Sequence, residues 1–141
     1  MEKMTTANVK ILLVDDEERF RNVLYRRLTV RGFQVFEAEN GFKAIEMAKQ
    51  EAPDVVILDQ AMPGMDGIKV FDEIKSINPM IEVIMLTGQA TVETALQIMK
   101  KGAFDYIMKP LAIDELFYKI EDAYTRKLLN EKKGPARGGK P

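Results

Sequence analysis

Asp59 closes the apolar run Val55-Val56-Ile57-Leu58 and is followed by Gln-Ala-Met-Pro-Gly-Met-Asp-Gly. A strand that runs straight into a Pro/Gly turn presents its last side chain at the turn. Asp15 and Asp16 close a second run, Ile11-Leu12-Leu13-Val14, while Thr87 and Lys109 close two more. If these runs are parallel strands of one sheet, all five polar groups emerge at one edge. Three carboxylates in one crevice repel one another and are tolerated around a divalent cation. Oxygen ligands with retained waters are what Mg²⁺ prefers. The chain has no His and no Cys, so a hard cation is favoured over zinc. A carboxylate nucleophile can form an acyl phosphate, and Lys109 and Thr87 could neutralise charge on the transferred group. Each residue also has a plain reading. Asp15 or Asp16 could cap a helix, Lys109 could be solvated, and Thr87-Gly88 could be an ordinary turn. What favours a phosphoryl site is that one edge would collect them all.

Composition narrows the chemistry further. The absence of His excludes a Ser-His-Asp triad, and the chain cannot itself carry phosphohistidine. The absence of Cys excludes a thiol nucleophile and a disulfide framework. The 141 residues suit one domain with a real core. A net charge of −1 supplies no bulk field to recruit nucleic acid or an acidic membrane. No apolar run approaches the roughly 20 residues needed to span a bilayer, and the first residues lack the apolar stretch of a signal peptide. A cytoplasmic protein is expected.

The elements that must position these groups follow from periodicity. Apolar runs at Val9–Val14, Phe33–Ala38, Val55–Leu58, Ile81–Leu86 and Phe104–Met108 read as strands, the third and fourth continuously apolar, as in a sheet covered on both faces. Between and after them lie helical stripes. These are Phe20, Val23, Leu24 and Leu28; Ala44, Ile45 and Ala48; Ile68, Phe71 and Ile74; Val92, Ala95, Leu96 and Met99; and Ile113, Leu116, Phe117, Ile120 and Tyr124. Gly32 and Gly102 follow helices as C-caps. The alternation predicts an α/β, flavodoxin-like (βα)5 sandwich with a parallel five-stranded sheet in the order 2-1-3-4-5. Its switch point lies between strands 1 and 3, beside Asp15, Asp16 and Asp59. Residues 8–127 are expected to form the domain and 128–141 a flexible tail.

With these motifs in place, the chain resembles the receiver domains of two-component response regulators. The resemblance rests on Val-Asp-Asp-Glu at 14–17, Leu-Asp-Gln-Ala-Met-Pro-Gly-Met-Asp-Gly at 58–67, Leu-Thr-Gly at 86–88 and Asp-Tyr-Ile-Met-Lys-Pro at 105–110. It implies that Asp59 is the phosphoacceptor and that Asp15, Asp16, Asp59 and the backbone carbonyl of Ala61 hold Mg²⁺, Asp16 more directly than Asp15. It implies that Lys109 pairs with the phosphoryl group, that Thr87 is the switch hydroxyl, and that Tyr106 is the switch aromatic. The Lys109–Pro110 bond is expected to be cis. The implied donor is a sensor histidine kinase or phosphotransfer protein. The implied readout is the face of the fourth helix, fifth strand and fifth helix, where a partner or a second copy would bind.

The stretches 85–95 and 100–106 resemble receivers attached to nitrogen-regulation-type transcriptional activators. The chain is then either free-standing or the excised receiver of a longer regulator. No direct contact with nucleic acid is expected. Ala61 and Gln89 are not acidic, so neither helps orient a hydrolytic water, and the phosphoryl group should be comparatively long-lived. Beyond its own phosphorylation and slow dephosphorylation the domain would not be an enzyme. A haloacid-dehalogenase-type hydrolase needs a second Asp at position 61, where this chain has Ala. A flavin or nucleotide carrier needs a phosphate-cradling loop where this chain has Asp-Asp-Glu-Glu.

Overall fold

The computed structural model describes residues 8–62, 65–88 and 92–133. Five parallel strands form one sheet: β1 (Lys10–Val14), β2 (Gln34–Ala38), β3 (Val55–Asp59), β4 (Glu82–Thr87) and β5 (Asp105–Met108). Their order across the sheet is β2-β1-β3-β4-β5, the doubly wound order that the sequence predicts. The helices are α1 (Glu18–Arg31), α2 (Gly41–Glu51), α3 (Gly67–Ile77), α4 (Val92–Lys100) and α5 (Ile113–Lys133). β3 and β4 are buried along their whole length, whereas the edge strands β2 and β5 are only partly covered.

Strand alternation divides the core into two layers. Leu12, Val14, Val56, Leu58, Val83 and Met85 pack with residues of α2, α3 and α4. Ile11, Leu13, Val55, Ile57, Ile84, Leu86 and Ile107 pack with residues of α1 and α5. Four of the expected helical stripes supply these contacts. Leu24 and Leu28, Ala44 and Ala48, Phe71 and Ile74, and Leu116 and Ile120 are all buried. The fourth stripe does not. α4 buries Ile98, while Val92, Leu96 and Met99 are exposed. The apolar pattern there marks an outward face, because this helix packs against the partly covered edge strand β5 and needs few core residues.

Helix ends are set by local chemistry. Gly32 closes α1 at φ 114°, and the Gly32 N–H donates to the carbonyls of Leu28 and Thr29. Asn40 and Asp66 cap α2 and α3 through side-chain oxygens that accept the N–H of Lys43 and Ile68. α5 runs past the boundary expected at 127, as far as Lys133. Arg126 reaches Glu82 at 2.6 and 2.5 Å, and Lys127 reaches Asp54 at 3.0 Å. These two ion pairs tie the extended helix to the amino-terminal ends of β3 and β4. Residues 134–141, the rest of the expected tail, lie outside the described residues.

Candidate functional site

Asp59 is the last residue of β3 and Thr87 the last of β4, so the strands deliver both groups at the carboxyl-terminal edge of the sheet. Val14 is in register with Leu58, which sets the following residues, Asp15 and Asp59, side by side on adjacent strands. Asp15, Asp16 and Asp59 converge there, with one ligand oxygen from each within 4.8 Å of the others. Asp15 and Asp59 are buried, while Asp16 is exposed. This donor set suits Mg²⁺: all oxygen, anionic, and open on the Asp16 side to the waters that the ion retains.

Asp15 is held on every side. Its N–H donates to the Ala38 carbonyl at 3.1 Å, and its Oδ1 accepts the Glu17 N–H at 2.9 Å. Its Oδ2 accepts a hydrogen bond from Lys109 Nζ at 3.2 Å. The plain helix-cap reading is therefore half right: Asp15 forms an Asx turn, but the N-cap position falls to Glu17, whose side chain makes no capping bond. Lys109 Nζ lies 3.8 Å from Asp59 Oδ2, farther than from Asp15. The lysine thus bridges the two buried acids.

Three residues outside the sequence motifs support this edge. Arg21 donates to the Asp15 carbonyl at 2.7 Å and to Glu37 Oε1 at 3.0 Å, pinning the loop that carries the acids. The ring of Phe20 lies 4.2 Å from Lys109 Nζ. The periodic reading assigned Phe20 to the core stripe of α1, which it does join; nothing in spacing signals the contact with a lysine so far along the chain.

After Asp59 the backbone doubles back. Ala61–Met62 bridges antiparallel to Met65–Asp66, with Ala61 opposite Asp66. A Cβ added at Gly67 would lie 2.8 Å from the Gln60 Cα and carbonyl oxygen. Only glycine lets the start of α3 pass so close behind the residue that follows Asp59. Gln89 lies outside the described residues.

Thr87 and Tyr106 sit on the other side of the pleat from Asp59. Thr87 is buried and continues the row Val83–Met85, and Tyr106 is in register with Met85 and packs half-buried against the same layer. The Lys109 N–H donates to the Thr87 carbonyl at 2.7 Å, and the Lys109–Pro110 peptide is cis. Beneath Tyr106, Asp105 accepts from the Tyr106 N–H at 2.7 Å and from Lys119 at 2.5 Å. That hydrogen bond to Asp105 holds the Lys119 pKa above its usual value, against the opposing effect of burial.

The model of the response regulator receiver domain matches residues 11–121. The chain belongs to this family. Regulatory protein AtoC of Escherichia coli (strain K12) is 43% identical over 113 residues, which are 80% of this chain and 24% of AtoC. Sporulation initiation phosphotransferase F of Bacillus subtilis (strain 168) is 38% identical over 109 residues, 77% of this chain and 88% of that protein. The crystal structure of NtrX from Brucella abortus superposes with a TM-score of 0.81 at 33% identity, covering 87% of this chain and 28% of NtrX. This response regulator receiver is of the nitrogen-regulation activator type and works in phosphorelay signalling. Among the described residues no helix is long and apolar enough to cross a membrane.

Proposed function

We propose that Asp59 accepts a phosphoryl group from the phosphohistidine of a separate sensor kinase or phosphotransfer protein. Asp15, Asp16, Asp59 and the Ala61 carbonyl would hold Mg²⁺, which when bound neutralises charge on the transferring oxygens. The observation that carries this reading is the convergence of three carboxylates around a lysine that bridges two of them. An Asp59 carboxylate oxygen attacks phosphorus while the bond to the donor's imidazole nitrogen breaks. Attack by a carboxylate oxygen requires no general base, and the released imidazole takes its proton from solvent. Lys109 can leave Asp59 for the new phosphoryl oxygens while keeping Asp15, which holds it at the site.

The readout follows from where Thr87 and Tyr106 lie. The Thr87 hydroxyl, drawn to the phosphoryl group, would vacate space on the side of the sheet where Tyr106 packs, biasing an equilibrium between two states. Val92, Leu96 and Met99 of α4 and Met108 of β5, the strand that carries Tyr106, are exposed apolar side chains. A downstream partner or a second copy would bind there, in the cytoplasm and without direct contact to nucleic acid. AtoC is much longer than this chain and sporulation initiation phosphotransferase F is close to its size. Input to a larger activator and a step in a relay both use the same Asp59 chemistry.

Incubation with acetyl phosphate and Mg²⁺, followed by intact mass measurement, tests the proposal. Wild type should gain one phosphoryl mass and Asp59→Asn none; equal labelling of both would overturn it. With Ala at 61 and Gln at 89, the label should persist well beyond seconds in purified protein.

A further inference from the structure

We infer that Phe20 is a positioning residue for Lys109, its ring holding the ammonium in place against the two buried acids; this rests on the phosphoryl-transfer reading of the site. The Lys109 side chain is 19% exposed and meets Asp15 at 3.2 Å and Asp59 at 3.8 Å. The Phe20 ring centroid lies 4.2 Å from the same Nζ. A cation within about 6 Å of an aromatic face is attracted by the ring quadrupole, more strongly as water is removed.

The geometry also answers a difficulty in the site. A lysine is a point charge on a flexible four-carbon stem, with no fork to fix its direction. The backbone fixes only where the stem starts, through the Lys109 N–H on the Thr87 carbonyl. The carboxylates alone would let Nζ slide between Asp15 and solvent. An aromatic ring closes that route with a surface that attracts the charge, whereas an aliphatic side chain would close it with one that does not. Phe20 is suited to this because it stands at the site end of the α1 stripe. Leu24 and Leu28 are fully covered, but Phe20 is only partly buried and joins the same layer at its rim.

Two measurements test the role. In lysine-labelled protein, the ε-methylene protons of Lys109 should resonate upfield of the other lysines through the ring current, relax to an ordinary position in Phe20→Leu, and stay upfield in Phe20→Tyr. An unchanged resonance in Phe20→Leu would overturn the contact. Labelling rates with acetyl phosphate would then be compared in wild type, Phe20→Leu, Lys109→Ala and the double variant. Loss of the ring should slow labelling about three- to tenfold when Lys109 is present, the range expected of a partly desolvated cation–π contact. It should cost nothing further when Lys109 is absent. Equal slowing in both backgrounds would mean that Phe20 serves packing alone and would overturn the inference. Wild type that takes no label would instead overturn the underlying reading, and the positioning role with it, while the resonance still reports whether the contact exists.

Discussion

At the amino-terminal edge of the sheet Glu82 and Asp54 each meet a cation of their own, whereas at the opposite edge Asp15 and Asp59 share Lys109 and Asp16 stands exposed beside them. Glu82 is buried and accepts two hydrogen bonds from Arg126, at 2.6 and 2.5 Å, a bidentate match of planar groups. Asp54 accepts the Lys10 N–H at 2.8 Å and pairs with Lys127 at 3.0 Å. Nearby, Lys75 spends its ammonium on the carbonyls of Pro79 and Ile81, and burial above all lowers its pKa, with Glu82 opposing and Arg126 assisting. Similar residue types thus make a closed network at one edge and an anionic excess at the other. The closed edge stabilises the fold. The open edge stores repulsion that a cation or a phosphoryl group can relieve, which is how a binding site differs from a buried ion pair.

The sharpest way to break the contrast is to open the closed edge. Arg126→Met strands the Glu82 carboxylate and should cost about 2–4 kcal/mol in urea denaturation, below the range for fully buried pairs because Arg126 is partly exposed. Acetyl phosphate labelling of the folded fraction should be unchanged. Gly67→Ala probes the turn behind Asp59. Its methyl must displace the Gln60 backbone, so stability should fall by about 1–3 kcal/mol, and labelling of Asp59 should fall too. Closing the open edge should have the opposite sign. Without metal, Asp59→Asn should raise stability by about 1–2 kcal/mol as repulsion is removed. Added Mg²⁺ should then stabilise wild type more than the variant in thermal melts.

The smallest effect concerns pH at the closed edge. Burial acts to lower the Lys127 pKa, but hydrogen bonds to Glu131 and Asp54 outweigh it and the net shift is upward. A raised pKa in the folded state contributes stability that is complete below the ordinary lysine pKa, about 10.4, and lost as pH rises through the folded value. Lys127→Gln should therefore be less stable than wild type at neutral pH, with the gap narrowing in alkaline melts.

Most of the fold was legible because buried parallel strands leave continuous apolar runs and helices leave periodic ones. The acids were legible because a carboxylate at the end of such a run has few ordinary reasons to be there. α4 misled for a physical reason: Val92, Leu96 and Met99 repeat as a core stripe would, yet periodicity reports only that a face is apolar, not whether anything covers it. That Lys109 lies closer to Asp15 than to Asp59, and the Phe20 and Arg21 contacts, were beyond reach because they join residues through the twist of the sheet and side-chain rotamers. The length of α5 was hidden as well, since Arg126 and Lys127 look like solvated charges until Glu82 and Asp54 are seen opposite them.

The pleat that separates Asp59 from Thr87 has a consequence of its own. Neighbouring strands start the receiving carboxylate and the responding hydroxyl toward opposite layers, yet both stand at the same rim of the sheet, where the hydroxyl can turn to the phosphoryl group. Chemistry in front and traffic behind then meet at Thr87, and each can be altered while that residue is kept. A lineage could rewrite the surface around Tyr106 to address a new listener without disturbing the acids. It could equally retune the acids and Lys109 for a new timer without changing the address.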